Sequence, residues 1–133
     1  MVKAVDVNAA LADLEVLSIR GPDTSEAEAD AAFATLAPFR EGAIFAGSFA
    51  GESPWERHQN GDELVHILKG ETTLTIIVDG DRQVLEMAAG MLTVVPRGCW
   101  HRFQAPLGVT VLTATPQPTD ISWAEDPNAD APV

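Results

Sequence analysis

Between Gly51 and Gly70 the chain reads GESPWERHQNGDELVHILKG, and no other stretch restricts the possible folds as tightly. Two carboxylates and a histidine, Glu56, His58 and Glu63, fall within eight residues and are followed by an apolar run closed by glycine. Side chains alternate between the two faces of an extended strand, so Glu56 and His58 share a face if Trp55 to His58 is extended. Gln59-Asn60-Gly61-Asp62 is turn chemistry, in which Asn and Gly tolerate positive φ, so the chain can reverse there and bring Glu63 back beside the other two. The expected product is a β structure with histidine and carboxylate side chains converging on one side.

A second stretch, Gly90 to His101 (GMLTVVPRGCWH), holds a short apolar strand, a Pro/Gly turn and a histidine opening another strand that runs to Phe103. Together the two stretches resemble the paired motifs of the cupin superfamily. Glu63 and Gly70 fit the end of the first motif, and His58 precedes Glu63 by four intervening residues. Gly90, Pro96, Gly98 and His101 fit the second. The resemblance runs from about Gly51 to Gln104 and departs from the family pattern at Glu56, where a first histidine is expected, and at Ala105, where an asparagine is expected. A register counted from Gly51 instead would put Arg57 and Gln59 at the ligand positions and leave no metal site.

Short strands and turns dominate from Ala43 onward. Strands are expected at 43–49, 55–58, 63–69, 72–78, 82–87, 92–95, 100–104 and 109–115, with Asp79-Gly80 as a tight hairpin. Turn residues about every ten positions point to an antiparallel sandwich or barrel, and the fold expected is all-β, a double-stranded β-helix (jelly-roll) barrel with a short N-terminal helix. At 133 residues the chain is long enough for one core. Its expected division is an N-terminal extension at 1–40, a cupin barrel at 41–117 and a polar C-terminal tail at 118–133. In the extension, Asn8 can cap a short helix through Leu14, and Glu15 to Ile19 can form an edge strand. Ser25 and Glu28 form a capping box that opens a helix ending before Pro38, with Ala29, Phe33 and Leu36 as its apolar stripe. That helix reads as a lid or packing element outside the barrel. The tail would wrap a neighbour or stay disordered, with Trp123 making a docking contact.

Charge narrows the partners. Eight basic against twenty acidic residues give a net charge of −12, a surface that repels phosphate, so neither nucleic acid nor an anionic membrane is expected. No run approaches the roughly 20 apolar residues of a membrane span, and no secretion signal is read. A single cysteine, Cys99, excludes an intramolecular disulfide and reads as a small buried residue; the cytoplasm is the default location.

If Glu56, His58, Glu63 and His101 meet inside the barrel, they offer two imidazoles and two carboxylates, a set suited to a divalent Fe, Mn, Zn, Ni or Cu ion. Glu56 is then either a fourth ligand or a general base, the candidate catalytic residue. Without metal, the same groups form an ion pair in an empty polar pocket. Phe103 shares the face of His101 and Val65 that of Glu63, and with Trp55 they are the candidate walls of a substrate pocket; His66 points away. Two functions stay open. In one, as the resemblance implies, the barrel is an enzyme of dioxygenase, isomerase or lyase type acting on a small oxygenated or carbonyl compound. In the other it is a non-catalytic small-molecule-binding or sensing module. Leu64 and Leu68 lie on the face of β residues opposite Glu63, which must be covered as well, and a homodimer is expected to cover it.

Overall fold

The computed structural model describes residues 2–130. Its elements in chain order are α1 (Val7–Ala12), β1 (Leu17–Arg20), α2 (Glu26–Ala31), β2 (Phe33–Phe39), β3 (Gly42–Glu52), β4 (Trp55–His58), β5 (Glu63–Val78), β6 (Asp81–Ala88), β7 (Leu92–Val95), β8 (His101–Pro116), β9 (Thr119–Ser122) and a closing 3-10 turn, Pro127–Asp130. The strands pair in the order β1-β3-β8-β4-β9, with β2 on β3 and with β5 joining β6, β7 and β8. The result is the jelly-roll barrel with short N-terminal helices.

Four of the separately expected strands are halves of two long ones. β5 and β8 each run for 16 residues and bend where their register slips, between Gly70 and Thr73 on β5 and around Leu107-Gly108 on β8. Gly51, Gly70 and Gly108 all take positive φ at this corner, and such bulged, glycine-bearing bends let one strand pass from one sheet of the barrel to the other. The bend determines what can meet inside. Straight, β8 would hold His101 and Thr115 about 45 Å apart, yet both touch the same carboxylate of Glu63. Asp79 (φ 51°) and Gly80 (φ 84°) form the hairpin between β5 and β6.

The N-terminal segment differs from expectation in three places. Asp6, not Asn8, caps α1, its carboxylate accepting from Ala9 N at 3.0 Å. The capping box of Ser25 and Glu28 is present, but α2 stops at Ala31, so Phe33 and Leu36 lie on a strand and not on a helical stripe. Tertiary pairing overrides helical propensity here: β2 lies antiparallel on β3, and Gly47 lets the two backbones approach, since a Cβ there would run into the ring of Phe33 and the carbonyl of Ala32. β1 joins the sheet parallel to β3, its Arg20 opposite Gly51.

The expected polar tail is also structural in part. Residues Thr119–Ser122 form β9, which pairs antiparallel with all of β4, from Trp55↔Ser122 to His58↔Thr119. The main core gathers Phe49, Val65, Ile67, Leu74, Val95, Phe103 and Val111, and a second cluster joins Trp55, Ile77 and Trp100.

Candidate metal centre

β4 is four residues long, and its alternation sets the site. Glu56 and His58 face the barrel interior, while Trp55 and Arg57 face the other way. The register that keeps His58 is the one the fold uses: Arg57 stacks over Trp100 at 4.5 Å and pairs with Asp120 at 3.0 Å, and Gln59 also donates to Asp120. β4 pairs with β8 so that Glu56 stands opposite His101. One donor atom from each of Glu56, His58 and His101 lies within 4.8 Å of the others. Glu63, the first residue of β5, touches both imidazoles, Oε1 at 3.0 Å from His101 Nε2 and Oε2 at 3.3 Å from His58 Nε2.

The outer nitrogens of both rings are engaged. His101 Nδ1 lies 3.0 Å from the Cys99 carbonyl, which can only accept, so Nδ1 carries a proton and Nε2 is the free nitrogen of the neutral ring. His58 Nδ1 lies 3.1 Å from the Thr119 hydroxyl. Both Nε2 atoms and Glu63 Oε1 are fully buried, and none has an aligned hydrogen bond despite the short separations. Facing the Glu63 carboxylate, the two Nε2 atoms need a proton or another cation among them. A proton fills that need in the metal-free protein, and a divalent ion can take its place. Ligand bonds of about 2.0–2.2 Å place donor atoms roughly 3 to 4.4 Å apart, the range of the 3.0, 3.3 and 4.0 Å separations among Glu63, His101, His58 and Glu56. The donor set therefore fits a divalent ion, and Glu56, His58 and His101 form the candidate metal triad.

Burial pushes the Glu63 carboxyl up, but the two imidazoles outweigh it and bring the pKa to about 2. For His101, burial pulls the pKa down while Glu63 and Glu56 raise it, with a net rise. Thr115 donates to Glu63 Oε2 at 2.6 Å and shares a 2.7 Å hydrogen bond with Thr113, which fixes the carboxylate from the far end of β8.

An open cavity of about 740 Å³ leads to the cluster, within the range of small-molecule sites. Phe103 lines it, as do Glu56, His58 and Glu63; Val65 and Trp55 do not. Val65 is sealed in the core behind the cavity floor. Trp55 lies on the opposite face of β4, with Arg102 and Arg82 over its ring at 4.6 and 5.2 Å. Cys99 is half-buried, not sealed. Three groups were missed in sequence: Arg20, Thr115 with Thr113, and Thr119. The threonine pair had a signal, two polar residues on one face of an otherwise apolar strand. Arg20 and Thr119 had none, because their roles depend on how β1 and β9 dock.

Bent strands enclosing a cavity with inward histidine and carboxylate donors define a jelly-roll barrel with a candidate metal site. Residues 49–112 match the family model for the cupin domain, and over that segment the chain is similar to cupins. It is similar to acireductone dioxygenases from two strains of Rhodopseudomonas palustris, TIE-1 and ATCC BAA-98 / CGA009, with 46% identity over 50 residues. That stretch is 38% of this chain and 30% of each relative, so the chain matches less than a third of their length. In fold it is similar to a conserved protein of unknown function from Streptococcus pyogenes, with a TM-score of 0.57 and 22% identity over 89% of this chain and 90% of that one. It is also similar to a hydroquinone 1,2-dioxygenase in complex with Cd2+, with a TM-score of 0.56 and 17% identity over 63% of each chain. No helix among the described residues is long and apolar enough to cross a membrane.

Proposed function

We propose that this chain is a mononuclear metal-dependent cupin that acts, in dioxygenase-like fashion, on a small oxygenated or carbonyl compound. The observation that carries the proposal is the convergence of Glu56, His58 and His101, the two Nε2 atoms buried without an aligned hydrogen bond, next to an open cavity that Glu56, His58 and Glu63 line. The R. palustris dioxygenases support the reaction class. His58, His101 and Glu56 would hold the ion, and Glu63 would be the second carboxylate. When bound, the ion supplies a Lewis acid that polarises a substrate oxygen. Glu63, fixed by Thr115, holds negative charge against the two imidazoles. Glu56 is the more exposed carboxylate, 21% against 5% for Glu63, so if it does not hold the ion it is the base within reach of a ligand in the cavity. Phe33, Phe49 and Phe103 give the walls beside it an apolar lining.

Metal analysis of protein purified without chelator, followed by titration with Fe(II), Mn(II) and Zn(II), tests this reading. One ion per chain is expected, with oxygen uptake by the Fe(II) form on a panel of enediols and diphenols. A stoichiometry well below one, with no uptake on titration, removes the reading. Ligand stabilisation that persists in chelator, without turnover, would make the chain a binding module instead.

The assembly proposed is a homodimer in the cytoplasm. Leu92 and Val94 on β7 are 61% and 50% exposed and stand opposite His66 and Leu64 of β5, an apolar outer face of the kind that marks an interface. Light scattering that returned a mass near 14.1 kDa at micromolar concentration would rule the dimer out.

A further inference from the structure

Arg20 ends β1, outside the residues that match the family, and its side chain is 91% buried in the cavity wall. Its guanidinium lies over the rings of Phe49 at 4.6 Å and Phe33 at 5.6 Å, which fix its plane. Among the described residues its ion-pair contact is Glu56 Oε1 at 3.6 Å, too long for a hydrogen bond. A guanidinium is a planar fork of five donors, costly to bury without acceptors and matched in shape to a carboxylate. Glu56 is shared with His58 and the metal triad, so acceptors for that fork have to come from the cavity.

Arg20 and the walls of the cavity point to what supplies them. The protein has only eight Lys and Arg against twenty acidic residues, yet Arg20 is the one Lys or Arg among the described residues lining this cavity. A divalent ion and Arg20 would carry three positive charges against the four carboxylates lining the cavity, Glu56, Glu63, Glu26 and Asp30, so the acceptor can bring little charge and has to sit on Arg20 itself. Glu26 and Asp30 line the same cavity and oppose more highly charged anions. Phe33, Phe45, Phe49 and Phe103 form aromatic wall beside the guanidinium.

We propose that Arg20 is the anion-binding residue of this cavity, and that the ligand is a small organic monocarboxylate with an apolar or aromatic body, its carboxylate on Arg20 and its other end toward the metal triad. The proposal rests on the metal reading for the second end alone. Benzoate and its neutral counterpart benzamide are the probes, titrated by calorimetry into the parent, Arg20→Met and Arg20→Lys, each with and without Zn(II), and Zn(II) is titrated separately into each. Benzoate should bind the parent more tightly than benzamide, and Arg20→Met should lose on the order of tenfold in benzoate affinity, with benzamide affinity unchanged and Zn(II) affinity not reduced, since the cation beside Glu56 is removed. Arg20→Lys, which keeps the charge but not the fork, should fall between. Methionine in place of a buried, poorly paired charge is tolerated by most folds; if Arg20→Met does not fold, the same comparison is made with Arg20→Lys. Benzoate binding to Arg20→Met or Arg20→Lys as tight as to the parent, or no benzoate binding to the parent, overturns the proposal. Failure of the parent to bind Zn(II) instead overturns the metal reading, and the metal-free titrations then decide Arg20 by themselves.

Discussion

The hydroxyl of Thr119 lies 3.1 Å from Nδ1 of His58, so the strand that follows the barrel reaches back to the candidate metal centre. β9 holds it there by pairing along the whole of β4. A partner on the far nitrogen orients an imidazole and sets which nitrogen is free for a metal. Thr119→Val keeps the shape and removes that partner, and roughly tenfold weaker Zn(II) binding is expected. Calorimetric titration checks it, and an unchanged affinity would mean that packing alone orients His58.

Glu56 occupies the place of a histidine in the family pattern, and it faces the triad from β4. Glu56→His should keep or raise affinity for Ni(II), Cu(II) or Zn(II), since it replaces an oxygen donor with a nitrogen donor that these ions favour. Glu56→Ala should weaken binding. If neither variant differs from the parent in metal titrations, Glu56 is not a ligand.

Acid and base should act on the metal-free protein through one pair. The Glu63 pKa falls from its ordinary 4.5 to about 2, so its stabilising contribution is fully present above pH 4.5 and is lost as the pH falls toward 2. The His101 pKa is raised from 6.5, so its contribution is fully present below pH 6.5 and is lost as the pH rises through the raised value. Unfolding midpoints measured in chelator should therefore peak between these limits. Glu63→Gln should flatten both arms, and a parent-like profile in that variant would show that other groups set the pH dependence.

Gly51 takes φ 110° directly against Arg20, where a Cβ would run into the Arg20 carbonyl. Gly51→Ala should cost roughly 1–3 kcal/mol, read as a lower midpoint in chemical denaturation. Because β1 is the strand displaced, benzoate binding should weaken more than Zn(II) binding. Equal losses in both would show that the substitution disturbs the barrel as a whole.

The barrel was legible because its signals are local. Alternation at Glu56 and His58, the turn before Glu63, the Pro96-Gly98 turn before His101 and the Asp79-Gly80 hairpin each follow from a few neighbouring residues, and β4 and β7 have the expected bounds. What was not legible depends on contacts far apart in sequence. Phe33 and Leu36 satisfy a helical stripe by spacing, but the room beside Gly47 makes them strand. The bends that join the halves of β5 and β8 follow from barrel closure, not from Gly70 or Gly108 alone. Val65 is expected in the cavity because it shares the face of Glu63, yet it packs into the core, and Trp55 is expected there although its parity already points away.

The four candidate metal donors all lie within residues 49–112, whereas Arg20, α2 and β9, which border the cavity or brace His58, lie outside them. In the proposed function the ion's ligands thus come from the central segment, while the flanks supply Arg20 and part of the cavity wall. Exchanging the flanks while the central segment is kept would alter which molecules the barrel accepts and leave its inorganic chemistry in place, so relatives alike in the middle and unlike at the ends are expected to share a metal and differ in what they bind.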